Sequence, residues 1–319
     1  MNDLSIIIIN WNTKQLVLDC IASVHATVKN VGFEIHVVDN GSGDGSVEAV
    51  AKEYPYVRII ANKANMGFAK ANNQAIRAMQ AKYAVLLNSD TILKKGALEA
   101  MHAFMETHPR AGICGPQLLY EDGTKQTSYS TFPTLGEEFC SSAISRLLLP
   151  KKYRERAMRK SAIITRPATV DYIIGACMMV RKTAMDQVGL LDEDYFFCYE
   201  EVDWCLRMKK AGWEVWHLPD IEIFHLQNRS FIGINLKARA ESWRSRYVFF
   251  NKSLKLSGLT SRALLLTGGM ITVFHFLEYG LFNLLTLFTF KRLRTRWRMF
   301  AYLLVWHLRG RPETMCLPG

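Results

Sequence analysis

The sequence predicts an α/β fold, with a mostly parallel sheet flanked by helices in a Rossmann-like arrangement and a helical region at the C-terminal end. Three observations predict it. The first 115 residues alternate β-branched apolar runs with amphipathic stretches. Polar clusters stand where three of those runs end, at Asn10, Asp39 and Asp90. From Ala263 onward the chain turns apolar and then basic.

Leu4 to Ile9 is a continuous β-branched run, the pattern of a strand buried on both faces, and Lys14 to Val28 is an amphipathic helix. Glu34 to Val38 forms a second strand that ends in the turn-rich loop Asp39 to Ser46. Val57 to Ile60 is a short third strand and Gly67 to Met79 a helix. Tyr83 to Leu87 is a fourth strand ending at Asn88-Ser89-Asp90, before a helix from Lys95 to Thr107. In such sheets ligands bind at the carboxyl ends of the strands, where these polar clusters fall. Asp122-Gly123 signals a turn, and the basic, weakly patterned stretch Ser141 to Arg166 reads as a mobile loop over the site. Strand character returns from Val170 to Val180. A helix from Glu200 to Ala211 follows, then strands from Trp213 to Leu218 and around Ile221 to Phe224.

A chain of 319 residues accommodates one large α/β domain with an appendage, or two small domains. Its net charge of +11 points to anionic partners. Seven Lys or Arg and one acid, Glu313, lie from Lys291 to the end, beside the apolar segment, where phospholipid is the natural partner. A nucleic-acid-binding reading fails because the aromatics cluster with acids or within the apolar tail rather than among surface cations. The seven cysteines form no CxxC pair and read as reduced core residues. The apolar run Ile6 to Ile9 is too short for a secretory signal and ends at Asn10, so the chain is expected in the cytoplasm.

Three constellations could carry chemistry. Asp39, at a strand end, could accept the ring N–H of a uracil or thymine, or could simply order the turn that follows. Asp90, just beyond a buried strand in Asn88-Ser89-Asp90, suits a hard divalent cation bridging a diphosphate, or could cap a short turn. Six acids fall within the twelve positions from Asp192 to Asp203, interleaved with Tyr195, Phe196, Phe197 and Tyr199. The dipole of a helix N-terminus accounts for some of them. Carboxylates among aromatics also describe a partly dry cleft, where a raised pKa makes a general base. His225 by itself fits a hydrogen-bonded core histidine more readily than a metal ligand.

Together these residues resemble the inverting family-2 glycosyltransferases of the GT-A fold, in particular their rhamnosyltransferase-like branch. The matching stretches are Ser5 to Asn12, Val37 to Ser42, Asn65 to Ala69, Leu86 to Thr91, Gly175 to Arg181, Phe197 to Arg207, Ala211 to Trp213 and His225. The resemblance covers roughly residues 3 to 250, in order. It implies that Asn10, Trp11, Asn12 and Asp39 hold the nucleotide base, and that Asn65, Gly67 and Asn72 line the nucleotide-sugar pocket. Asn88, Ser89 and Asp90 take the place of the family's metal-binding DxD, with Asn88 standing where the first Asp is usual. Asp90 and His225 would hold Mg²⁺ or Mn²⁺. The family's acidic pair falls on Glu200-Glu201, which makes Glu201 the base and Asp203 its assistant. Glu201 stands where Asp is commoner, so the choice between Glu201 and Asp203 stays open.

The implied function is inverting transfer of a sugar, rhamnose in the branch resembled, from a dTDP- or UDP-linked donor to a glycan or lipid-linked acceptor in cell-surface polysaccharide assembly. A non-catalytic nucleotide-sugar or glycan-binding relative is the alternative, against which the retained Asp90 and Glu201 argue. The catalytic domain would span residues 1–250, with a helical, membrane-associated region over 251–319.

Ala263 to Phe290 is apolar for 28 residues, with Glu278 its only charged side chain at neutral pH. A single span would carry the Arg-rich stretch Lys291 to Arg298 across the membrane, against the positive-inside tendency. Glu278 divides the run into 15 and 12 residues, each short for a span. The expectation is a peripheral or re-entrant helical hairpin broken near Glu278, followed by an amphipathic segment from Arg298 to Arg309, on the cytoplasmic side of the membrane. A buried helical pair in a homo-oligomer is the alternative.

Overall fold

A computed structural model of the chain describes residues 2–134, 164–226, 236–253, 255 and 258–310. The basic stretch Ser141 to Arg166 falls outside the described residues, apart from its last three positions, as do Cys140, Cys316 and the tail from Arg311. Two compact units emerge.

In the first unit, β1 (Asn2–Asn10), β2 (Phe33–Asp39), β3 (Arg58–Ala61) and β4 (Ala81–Asn88) alternate with α1 (Lys14–Thr27), α2 (Ser46–Glu53) and α3 (Phe68–Ala78). After them come β5 (Thr91–Leu93), α4 (Ala97–Thr107), β6 (Ala111–Leu119), β7 (Tyr129–Ser130), β8 (Ala168–Thr169), β9 (Tyr172–Ile173) and β10 (Cys177–Arg181). We number the remaining elements of this unit α5 (Lys182–Val188), α6 (Glu200–Lys210) and β11 (Glu214–His225). Leu4, Ile6, Ile7 and Ile8 are fully buried, and Ile6 and Ile7 join different core clusters. Helices cover both faces of β1, which is why its sequence is apolar without alternation.

Among the described residues the main sheet has nine strands, ordered β3-β2-β1-β4-β10-β6-β11-β5, with β8 beside β11. The half from β3 to β4 is parallel throughout. The other half is mixed: β10 runs antiparallel to β4 and β6, and β5 and β8 run antiparallel to β11. The sheet is therefore mixed where a mostly parallel one was expected, because periodicity reports burial but not direction. The two strands expected over 213–224 are one strand, β11, with an irregularity between Leu218 and Glu222. Val170 to Val180 yields two strands, β9 and β10.

Arg181, at the end of β10, is a buried peg. Its guanidinium donates to the carbonyls of Ala111, Met105 and His108 and to the hydroxyl of Tyr83, tying the α4–β6 corner to the sheet. The five described cysteines are free, and Cys20, Cys114, Cys177 and Cys205 are buried, as a reduced core requires. Burial pushes the Cys20 and Cys205 thiols up to about 12, so they stay protonated.

The second unit holds α7 (Leu236–Val248), a π-helical turn (Phe249–Ser253), α8 (Gly258–Leu285) and α9 (Lys291–Leu308). Its described part begins before residue 251, because α7 packs on α9: Tyr247 Oη lies 3.0 Å from His307 Nε2, and Trp243 stands edge-on to the same ring. Helix α8 runs unbroken through Glu278, which pairs with His275 at 2.8 Å. The break expected at Glu278 lies instead at 286–290. From there α9 folds back along α8, with Trp297 stacked on Phe276 and Phe300 on Tyr279. Uniform apolar composition hides that turn in the sequence. Ser261–Leu285 is long and apolar enough to cross a membrane, by length and composition.

Candidate active site

The register of the parallel half assembles the first part of the site. Asn10 is paired with Asp39 across β1 and β2, and Ile9 with Asn88 across β1 and β4, so three polar strand ends share one edge. Asn10 Nδ2 donates to Asp39 Oδ2 at 2.7 Å, and the backbone N–H of Ser42 donates to Asp39 Oδ1 at 2.8 Å. Asp39 therefore orders its turn, and its carboxylate retains lone pairs beyond these two bonds. Thr13 Oγ1 donates to Asn10 Oδ1 at 2.6 Å and lies 3.0 Å from Ser89 Oγ, which links the ends of β1 and β4. Asn12, left-handed at φ 52°, accepts from the backbone N–H of Gly43 through Oδ1. The indole N–H of Trp11 is buried and has no hydrogen-bond partner.

A second group forms around α3. Asn65 Oδ1 accepts from the Gly67 N–H at 2.9 Å. Gly67 has φ +83°, and a Cβ there would stand 2.7 Å from the Phe196 carbonyl oxygen, so this position requires glycine. That carbonyl accepts from the Phe68 N–H at 2.8 Å, joining α3 to the aromatic–acidic segment. Asn72 is fully buried; its amide donates to the Phe68 carbonyl, and its Oδ1 has no partner.

Asp90 is buried between β4 and β5, and its Oδ1 lies 3.4 Å from His225 Nε2. The antiparallel register of β5 and β11 sets this meeting by pairing His225 with Thr91. The Leu226 N–H also donates to the Asp90 carbonyl at 2.8 Å. A carboxylate and an imidazole suit Mg²⁺ or Mn²⁺, and their convergence fits the group the resemblance implies. Among the described residues no group of three or more His, Cys, Asp or Glu is placed to hold a metal ion, so these two side chains would leave coordination positions to other ligands.

Glu200 and Glu201 open α6, preceded by Cys198 and Tyr199 in left-handed conformation (φ 65° and 72°). Both glutamates have a buried Oε2 with no hydrogen-bond partner. Burial pushes the Glu201 carboxyl up to about 7, against the opposing pull of backbone N–H groups at the helix start. Burial, and then the Glu201 charge, holds Glu200 well above the carboxylate range. Tyr172 is pushed up to about 12 by burial and by Glu201. Gly175 adjoins Glu201, since a Cβ there would lie 3.7 Å from its side chain. Asp203 turns elsewhere: its Oδ2 accepts from Arg207 Nε at 2.7 Å, and Arg207 also donates to the carbonyls of Val188 and Leu190.

Sequence reasoning missed Thr13 and Gln126. Both bind site residues through side-chain contacts across the fold, and neither carries a local signal beyond being polar beside a strand end or turn.

The model of the family described as "Glycosyl transferase family 2" matches residues 5–189. Among curated relatives, an N-acetylglucosaminyl-diphospho-decaprenol L-rhamnosyltransferase of Mycobacterium tuberculosis is 29% identical over 224 residues, covering 67% of this chain and 73% of that protein. The low-salt glycan biosynthesis hexosyltransferase Agl10 of Haloferax volcanii is 23% identical over 281 residues, covering 85% and 84%. Among solved structures, a mannosyltransferase from Pyrobaculum calidifontis in complex with GDP-Man and Mn²⁺ shares the fold at TM-score 0.56 and 16% identity, covering 98% of this chain and 90% of that one.

Proposed function

This chain belongs to glycosyl transferase family 2 and transfers a glycosyl group from a nucleoside-diphosphate sugar to an acceptor, and we propose that it does so by one inverting displacement with Glu201 as general base. The observation that carries this reading is the contrast on α6. Glu201 offers a buried, unpartnered oxygen on a carboxyl that titrates near neutrality, whereas Asp203 is committed to Arg207. The acceptor hydroxyl attacks the anomeric carbon as the bond to the diphosphate oxygen breaks. Glu201 takes the hydroxyl proton, and the nucleoside diphosphate leaves with the electron pair. Burial and the Glu201 charge both favour the protonated form of Glu200, which limits the negative charge beside the base.

Asn10, Trp11, Asn12 and Asp39 form the base-binding edge, with the unpartnered Trp11 N–H as a donor. Asn65, Gly67, Asn72, Asn88 and Ser89 line the donor pocket, where the free Asn72 Oδ1 is an acceptor for the sugar. Asp90 and His225 would hold Mg²⁺ or Mn²⁺. Such an ion, when bound, neutralises charge that develops on the departing diphosphate.

The donor we favour is dTDP-linked rhamnose, with UDP-linked sugars next, and the acceptor a lipid-linked diphosphate glycan of cell-surface polysaccharide assembly. The rhamnosyltransferase of M. tuberculosis supports both choices by its name. The α8–α9 hairpin supports attachment to the cytoplasmic leaflet: Leu266, Met270, Val273, Leu277, Leu281 and Leu284 are exposed along α8, and five Lys or Arg open α9.

The test is turnover by the purified chain with a panel of nucleoside-diphosphate sugars, Mn²⁺ and a polyprenyl-diphosphate-linked acceptor, with the product anomer read by NMR. The proposal expects inversion, with transfer lost in Glu201→Gln. A product of retained configuration contradicts it.

A further inference from the structure

The structure assigns to Gln126 the task of fixing the tautomer of His225, so that the ring presents a bare Nε2 toward Asp90. This rests on the reading of Asp90 and His225 as metal ligands. Gln126 is almost fully buried, between the β6 end and β7. Its Oε1 lies 3.0 Å from His225 Nδ1, and its Nε2 donates to the carbonyls of His225 at 2.6 Å and Leu119 at 3.1 Å. Those two carbonyls settle the orientation of the amide. Rotating it by half a turn would set an oxygen against two carbonyl oxygens and break both of those hydrogen bonds. The atom facing Nδ1 is therefore an acceptor only, and Nδ1 must carry a proton to meet it.

With the proton held on Nδ1, the neutral ring has its lone pair on Nε2, 3.4 Å from Asp90 Oδ1. A bare Nε2 at that distance from Asp90 Oδ1 lets the two atoms bind one cation lying beside both, as a metal site would supply. Gln126 is itself immobilised. Its N–H donates to the Leu118 carbonyl at 2.8 Å, and its carbonyl accepts from Gln117 Nε2 at 2.7 Å and Ser128 Oγ at 3.0 Å. These bonds fix its backbone, and the two carbonyls that its side chain reaches hold the amide against the ring from behind. Gln126 is a positioning residue, since it acts on the metal and the donor only through His225.

Histidine-selective ¹⁵N NMR of the full-length chain tests this directly, with the His225 signals identified by their loss in His225→Asn. The expected result is a protonated Nδ1 and a bare Nε2, whose signal broadens selectively as Mn²⁺ is added. Gln126→Leu removes the acceptor, so the Nδ1–H form should lose its dominance, and Mn²⁺ affinity, read by EPR titration without substrate, should fall about 10- to 100-fold. A wild-type ring protonated on Nε2 alone overturns the inference, and it does so even if Gln126→Leu fails to fold. So does a folded Gln126→Leu chain that keeps both the tautomer and the affinity. If His225→Asn leaves Mn²⁺ affinity unchanged, the metal-ligand reading of His225 falls instead; loss in His225→Asn without loss in Gln126→Leu sinks the role of Gln126 alone.

Discussion

Arg207 Nε donates to Asp203 Oδ2 at 2.7 Å across one turn of α6, while Glu201, two residues before Asp203, keeps a buried Oε2 without a partner. The two carboxylates that the sequence offers for proton transfer are thereby separated by their neighbours. Arg207 also donates through its two terminal nitrogens to the carbonyls of Val188 and Leu190, so the ion pair anchors the helix to the chain that enters it.

The first prediction follows from that pair. Asp203→Ala removes a charge-assisted hydrogen bond that is buried on the carboxylate side, and should cost about 1.5–3 kcal/mol of stability. Denaturant unfolding measures the loss, and the folded fraction should still bind donor. A variant of unchanged stability with abolished turnover would move the base from Glu201 to Asp203.

Asp90→Asn removes the carboxylate from the Asp90–His225 pair. Transfer should fall about 10²–10³-fold, the loss typical of a missing electrostatic stabiliser. Mn²⁺ affinity should fall with it, and EDTA should abolish wild-type transfer. Full turnover by metal-free Asp90→Asn enzyme refutes the metal role.

Gly67→Ala places a Cβ against the Phe196 carbonyl at a backbone φ that disfavours any side chain. The strain should amount to about 1–3 kcal/mol. Because the same carbonyl receives the Phe68 N–H, donor affinity should weaken together with thermal stability. Calorimetric titration with a nucleoside-diphosphate sugar checks the coupling of the two.

For the hairpin, the full-length chain should bind anionic vesicles more tightly than neutral ones, with the difference shrinking as salt rises. Arg292→Gln with Arg294→Gln should remove about 2 kcal/mol of that preference, at about 1 kcal/mol per cation. A chain that ignores vesicles and stays soluble as a discrete oligomer would show that the exposed face of α8 is an assembly surface.

Much of this was legible in the sequence, for physical reasons. Ile6 to Ile9 reads as a strand because both faces of β1 are buried, and the polar residues that end β1, β2 and β4 mark the binding edge. Strand direction was not legible: nothing local to Cys177–Arg181 tells that β10 runs against β4. His225 taken alone reads as a core histidine; only the resemblance joins it to Asp90, because the register of β5 and β11 that sets the two side by side leaves no local signal. The hairpin turn at 286–290 depends on Trp297 and Phe300 finding Phe276 and Tyr279, and tertiary pairing of that kind leaves no period in the chain.

The account stands most directly on Glu201, and the decisive measurement is the pH dependence of kcat for wild type and Glu201→Gln, beside donor affinity. Wild-type kcat should rise with pH through about 7 as the buried carboxyl loses its proton. The stability linkage has the opposite slope. The folded pKa lies above the ordinary value of 4.5, so the native state holds more protons than the unfolded state between about 4.5 and about 7. Stability should therefore fall as pH rises across that window, and that slope should diminish in Glu201→Gln. The account predicts that Glu201→Gln binds donor as wild type does, while kcat drops about 10²–10⁴-fold and loses its rise near pH 7. A Glu201→Gln enzyme that turns over with the wild-type rate and pH profile would contradict it.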